Sequence, residues 1–253
     1  MQSVGAVGHD FGLGGGLRLE SGDWTLPLAE TVSAENADAI LLEPFFHAPA
    51  PSADHPLETL SPSDDLGGAK ALPGDAGLTE DAAKLRGSQI HLLLEVLPTM
   101  DPADWHERTQ LILSQGELRA TPDEALTLLQ EARAVLSMPE LTYLFGPETF
   151  AEVAISASLD ALGGRRIHGV IDRLIIGPDH VLAVDFKTNA VVPPDVQTCP
   201  EGILRQMGAY AAALTQLYPS RRIETAVLWT RNASLMFLPN DLVMEALRRS
   251  TLP

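Results

Sequence analysis

The stretch His168–Asn189, HGVIDRLIIGPDHVLAVDFKTN, decides how this chain is read. Two apolar runs, Val170–Ile176 and Val181–Phe186, flank a Gly177-Pro178-Asp179 punctuation. β-Branched residues on both sides of turn formers predict a hairpin. Its charges need an explanation. Asp172 interrupts the first run, and Asp185 and Lys187 end the second. Residues two apart on a strand share a face, so Asp185 and Lys187 project together. Pairing of the two strands brings Asp172 alongside. Carboxylates and an amine on a largely apolar hairpin cost solvation free energy unless they are partnered. A divalent cation is a natural partner, because Mg²⁺ takes one or two carboxylates plus water and phosphate oxygens. The bland alternative is a strand-end salt bridge.

The rest of the chain sets limits. Its 253 residues suffice for one large domain, or one domain with an extension, and 45% apolar content supports a packed core. The single cysteine, Cys199, excludes a disulfide framework and a Cys₄ iron–sulfur cluster carried by this chain. One thiol fits a reducing compartment, MQSVGAVGHD shows no signal peptide, and no apolar run approaches membrane-spanning length, so a cytoplasmic protein without membrane contact is expected. The net charge of −17 argues against a nucleic-acid binder at first sight. It is unevenly spread, however: residues 1–80 carry −11, 81–140 carry −5 and 141–253 only −1. The part holding the hairpin is nearly neutral.

Residues 1–43 give few signals. Phe11–Gly16 is glycine-rich without a following Gly-Lys-Ser/Thr, so no nucleotide-binding loop is expected, and Ala39–Phe46 reads as a strand or helix end. Residues 44–78, with six prolines among small and polar residues, read as a linker. A helix starts at Thr79, with Ile90, Leu93, Leu94 and Leu97 as its stripe and His91 beside it. A histidine there most simply satisfies core or surface packing. Asp101-Pro102 and Thr121-Pro-Asp-Glu124 signal two more helices, and Gly116 closes the first. Phe150–Leu159 alternates as a strand and carries Glu152, either an exposed edge carboxylate or an auxiliary acid facing the hairpin. Gly202–Leu217 reads as a helix with Gln206 and Tyr210 on one face. For Tyr210 core packing is the ordinary explanation, and Arg205 suits a salt bridge or a phosphate. Thr225–Thr230 and Ser234–Leu238 are strand candidates, and Asn240-Asp241 opens a closing helix.

Taken together, GVIDRL, AVDFKTN and RQMGAY resemble the PD-(D/E)xK nuclease motifs, in wording nearest to the RecB-like nuclease domains of bacterial AddA-type helicase–nuclease subunits. The likeness runs from about Leu60 to the C-terminus. It implies an α/β fold with a restriction-endonuclease-like core, a mixed central sheet flanked by helices, plus an added helical segment. It implies residues 79–253 as the nuclease domain, 44–78 as a linker, and 1–43 as the trailing edge of a helicase region. It implies a metal-dependent DNA nuclease of exodeoxyribonuclease type, using Mg²⁺ or Mn²⁺. Metal ligands would be His91, which ends a matching Gly87-Ser-Gln-Ile-His91 segment, with Asp172, Asp185 and the Phe186 carbonyl. Lys187 would act on the attacking water and the phosphate, Gln206 and Tyr210 would form the QxxxY signature, and Glu152 would be the auxiliary acid. Partners would be single-stranded DNA fed by a helicase part of the same polypeptide, and an AddB-type subunit, in double-strand break repair by recombination. No ATPase motif appears in the chain, so the resemblance is to a fragment or a motorless relative. Two alternatives stand beside it: a non-catalytic interaction domain on a nuclease fold, and a stand-alone DNA-repair exonuclease.

Overall fold

The computed structural model describes residues 6–10, 12, 14–19, 59–72 and 79–250. The chain divides into two compact units, Met1–Asp54 and His55–Pro253. In the first, strands β1 (Ala6–Asp10) and β2 (Gly15–Leu19) pair antiparallel, joined through Gly12 and Gly14, both at positive φ. The glycine-rich stretch is thus the turn of a hairpin. Ala39–Phe46 lies outside the described residues.

The second unit is a mixed α/β fold. Helices α1 (Glu80–Val96), α2 (Trp105–Ile112) and α3 (Pro122–Leu136) precede strands β3 (Thr149–Leu159), β4 (Arg165–Ile176) and β5 (His180–Lys187). Helix α4 (Glu201–Leu217), strands β6 (Arg222–Trp229) and β7 (Ser234–Leu238), and helix α5 (Asn240–Arg248) complete it. The five strands form one sheet in sequence order, antiparallel except for β5 and β6, which run parallel because α4 carries the chain back between them. This is the restriction-endonuclease-like arrangement that the motif order implies, with α1–α3 as the added helical segment.

Side-chain alternation on the central strands builds a core on each face. Val181, Ala183, Val227 and Trp229 join Met207, Leu214 and Val243 of α4 and α5. Leu182, Val184, Phe186, Ala226 and Leu228 join Leu93, Leu94, Leu129 and Val135 of α1 and α3. Each fully buried Leu or Val contributes about 1.5–3 kcal/mol. The helix signals act locally as expected: Thr79 caps α1 through Ala82 N, and Thr121 and Glu124 close a capping box on α3. Two signals shift. Asp101 folds a turn onto Ala103 N, and α2 begins only at Trp105 after Asp104. Helix α5 starts behind Pro239 with no side-chain cap.

The expected linker needs a correction. Its described part, residues 59–72, is built into the fold, with Leu60 and Leu66 fully buried. Leu60 pairs with β4 as a single parallel rung, its N–H donating to Arg166 O (2.8 Å) and its carbonyl accepting from His168 N (2.9 Å). Proline excludes regular helix and central strand, but it does not exclude packing: the Pro62 ring lies against Gly169. Arg205 is also settled here. Buried, it donates to Leu66 O (2.9 Å) and pairs with Glu201, so it ties α4 to this segment. Among the described residues, no helix is long and apolar enough to cross a membrane.

Candidate active site

The site forms where two strands part company. Strand β4 pairs with β5 only from Arg173↔Val184 to Ile176↔Val181. Beyond Arg173 the strands diverge, and every backbone group freed needs a new partner. Arg166 O and His168 N are served by Leu60, and Val170 O accepts from the Tyr210 hydroxyl at 2.8 Å. At the fork itself, Phe186 N donates to the Asp172 carboxylate at 2.5 Å. Asp172 thus stands in for the missing rung, and this holds it, 7% exposed, at the mouth of the wedge.

The opposite side of β4 is distorted at the same level. The β3–β4 ladder lapses between the pairs Ala151↔Arg173 and Val153↔Ile171, and Glu152 adopts φ +50. That left-handed backbone costs a non-glycine residue about 1–3 kcal/mol and concentrates at functional positions. Alternation resets here as well: Ile171 and Leu174, three apart, both face the α4–α5 core. One oxygen of Glu152, one of Asp172 and a ring nitrogen of His91 lie within 4.8 Å of one another. Burial and the neighbouring Asp172 charge push the Glu152 carboxyl upward.

His91 reaches the wedge from α1. Its Nε2 lies 3.1 Å from Phe186 O and its Nδ1 3.2 Å from Asp172 Oδ1. A carbonyl only accepts, so Nε2 carries the hydrogen. In the neutral ring the Nδ1 lone pair then faces a carboxylate oxygen, an arrangement satisfied only by a proton or a cation between them. Burial alone lowers the His91 pKa, but Asp172, with Asp185 further off, outweighs it and raises the net value.

Asp185 and Lys187 project toward α4. Lys187 Nζ lies 2.6 Å from Asp185 Oδ2 and donates to Gln206 Oε1 at 3.1 Å. Gln206 Nε2 donates to Asp185 Oδ1 (2.6 Å) and lies 3.4 Å from the Tyr210 hydroxyl. Gln206 therefore holds both members of the ion pair, each end of its amide used in the one orientation that suits it. Burial works to lower the Lys187 pKa, and the Asp185 carboxylate overrides it and keeps the ammonium charged. Burial dominates for Cys199, pushing its thiol up to about 12, and for Tyr210, pushed higher still.

The structure therefore brings His91, Glu152, Asp172, Asp185, Phe186, Lys187, Gln206 and Tyr210 to one wedge. His106 and His168 stay exposed. Three contributors are invisible in the sequence reading. Gly169 leaves room for a close fit: a Cβ there would lie 3.0 Å from the Tyr210 ring and 3.1 Å from Pro62. An isolated glycine inside a strand pattern is the signal that was available. Arg173, buried behind Asp172, donates to Leu94 O (2.9 Å) and stacks on Phe145. Glu131 of α3, described below, gives no signal at all.

Do these residues suit a metal ion? Oδ2 of Asp185 is a buried carboxylate oxygen with no aligned hydrogen bond, only the lysine ammonium against it. The His91–Asp172 contact takes either a proton or a metal ion between its two atoms, and the remaining donors are hard carboxylate oxygens. Such a set fits Mg²⁺ or Mn²⁺. The Phe186 carbonyl, also expected as a ligand, lies 3.1 Å from His91 Nε2, and its second lone pair remains open to an ion.

No curated protein matches the chain. A solved structure described as "Crystal structure of SSO0001" matches over 66% of this chain and 83% of that one, at 11% identity and a TM-score of 0.29, too weak a likeness to carry an argument. The sequence profile of the PD-(D/E)XK nuclease superfamily matches residues 66–238, which contain every residue of the wedge. The chain belongs to the PD-(D/E)XK nuclease superfamily.

Proposed function

We propose that this chain hydrolyses DNA phosphodiester bonds with Mg²⁺ or Mn²⁺, taking single-stranded DNA from its end. The observation that supports this most is the fork itself. One wedge holds a carboxylate fixed by a backbone amide, an imidazole facing it, and an Asp185–Lys187 pair clamped by Gln206. Asp172, Asp185 and His91 would hold the ion, with Glu152 as a further carboxylate. Bound there, the metal supplies an acidified water and neutralises phosphate charge. Lys187, aimed by Asp185 and Gln206, presents a fixed positive charge to the phosphate as negative charge builds on it. Tyr210 braces Gln206 and anchors β4 through Val170 O.

In the finer reading, this is the nuclease module of an AddA-type helicase–nuclease subunit acting in the cytoplasm with an AddB-type partner during double-strand break repair. Residues 79–253, together with the packed segment before them, would be that module. Motif wording is its support: GVID, VDFK and QMGAY, in that order, resemble the nuclease motifs of such subunits.

The test is cleavage of linear single-stranded DNA in Mg²⁺ or Mn²⁺ by the wild type and by Asp185→Ala. Loss of product on the order of 100-fold or more in the variant is expected. Equal cleavage by both overturns the proposal for this wedge, and no cleavage by either leaves a non-catalytic interaction domain. Resistance of circular single-stranded DNA supports the exonuclease mode, and faster cleavage on adding an AddB-type subunit supports the larger assembly.

A further inference from the structure

On the face of β5 away from α4, three side chains surround the carboxylate of Glu131, which is 9% exposed. Arg86 of α1 forms an ion pair with its Oε2, and Arg231 lies 3.8 Å from the same oxygen. Thr230, 1% exposed at the end of β6, donates to its Oε1 at 2.6 Å. Both flanking partners also touch the backbone that follows the site lysine. Arg86 Nη1 donates to Thr188 O at 3.2 Å, and Thr230 Oγ1 stands 3.3 Å from Lys187 O. The threonine has one proton, and the nearer carboxylate takes the greater share of it.

The geometry points to Glu131, Arg86 and Thr230 as positioning residues for Lys187. This deepens the nuclease reading and rests on it. Lys187 is gripped twice. Asp185 and Gln206 hold its ammonium from the α4 side, and the Glu131 hub holds its backbone from the α1–α3 side. A strand end without such ties frays, because β4 has already left β5 at Arg173 and β6 pairs with it only as far as Lys187↔Trp229. The hub places a rigid carboxylate and a two-pronged guanidinium where the strand would otherwise loosen. It touches neither the proposed ligands nor, by this account, the substrate. Small displacements of a charged group at a reacting centre cost rate far more than affinity.

The guanidinium fork matters more than its charge, because one prong meets the carboxylate and the other a carbonyl. That separates positioning from simple ion pairing. The experiment compares Arg86→Lys, Glu131→Gln, their combination, and the pair Thr230→Val and Thr230→Ser. It measures kcat and KM on single-stranded DNA, Mn²⁺ affinity by calorimetry, and thermal midpoint. The expected result is kcat reduced on the order of 10-fold in Arg86→Lys and Glu131→Gln, with KM and Mn²⁺ affinity within twofold of wild type. The double variant is no worse than the poorer single one, as for residues acting as a unit. Thr230→Ser keeps its hydroxyl and its rate; Thr230→Val loses rate. The threonine pair keeps the idea testable even if the charged variants fail to fold. Unchanged kcat in folded variants overturns the inference, as does a defect confined to KM, which would make Arg86 a phosphate contact, or additive losses. Failure of the underlying nuclease reading looks different: wild type and Asp185→Ala would then behave alike, whatever the Glu131 variants do.

Discussion

At the residue scale, Glu152 and His91 carry the clearest consequences. Glu152 holds a backbone conformation that glycine adopts freely, so Glu152→Gly should stabilise the protein by about 1 kcal/mol while lowering cleavage. Thermal denaturation beside a cleavage assay checks both halves, and a variant both less stable and fully active would show that the strain serves nothing. For His91 the sign follows from proton binding. In chelator, its folded-state pKa lies above the ordinary histidine value, so the folded state holds the extra proton in between. Its contribution to stability is complete below the unfolded pKa of about 6.5 and is lost as pH rises through the raised folded value. Urea titrations of metal-free protein should show this decline, and His91→Asn should flatten it. Mn²⁺ affinity should move the other way, rising with pH as the ring gives up its proton to the ion. Tyr210→Phe isolates the brace: losing the bond to Val170 O should cost about 1 kcal/mol of stability, read by the same titration.

At the element scale, what the sequence could and could not tell becomes physical. Caps and stripes are local, and Thr79, Thr121 and the Ile90–Leu97 stripe stand where their neighbours in the chain dictate. The shared face of Asp185 and Lys187 follows from the period of a strand, and the structure obeys it. The hairpin reading was right about pairing but silent on where pairing stops. The parting of β4 from β5 depends on Asp172, Tyr210 and Leu60, residues from three separate elements, satisfying backbone groups that no local rule assigns. Likewise the alternation around Asp172 breaks level with the unusual backbone angle of Glu152 on the neighbouring strand, which no local rule foresees. The eight site residues were legible mostly through motif resemblance, since spacing alone left His91, Glu152 and Tyr210 with ordinary structural readings. Helix packing gives a separate test. A Cβ at Gly208 would lie 2.3 Å from Val243 O, so α4 and α5 touch backbone to backbone. Gly208→Val should separate them and destabilise by more than about 2 kcal/mol, seen as a lowered thermal midpoint.

Across the whole molecule, charge is the governing quantity. Residues 1–54 hold eight acidic side chains against one basic, whereas residues 141–253 are almost balanced. A polyanion repels a polyanion over about a Debye length, roughly 10 Å at 0.1 M salt. Removing residues 1–54 at the boundary between the two units should therefore tighten single-stranded DNA binding at low salt, with the gain fading as salt rises. Fluorescence anisotropy across a salt series checks it, and a gain that persists at high salt would point to steric rather than electrostatic interference.

The rung made by Leu60 has a practical side. A chain begun at Thr79, where the helices start, would lack it, and Arg166 O and His168 N would face water along an open strand flanked by the apolar Ile167. Such unprotected strands recruit copies of themselves. Preparations trimmed to the obvious secondary structure would clump and look inactive for reasons unrelated to the chemistry of the wedge, whereas those retaining residues from 55 onward would stay dispersed.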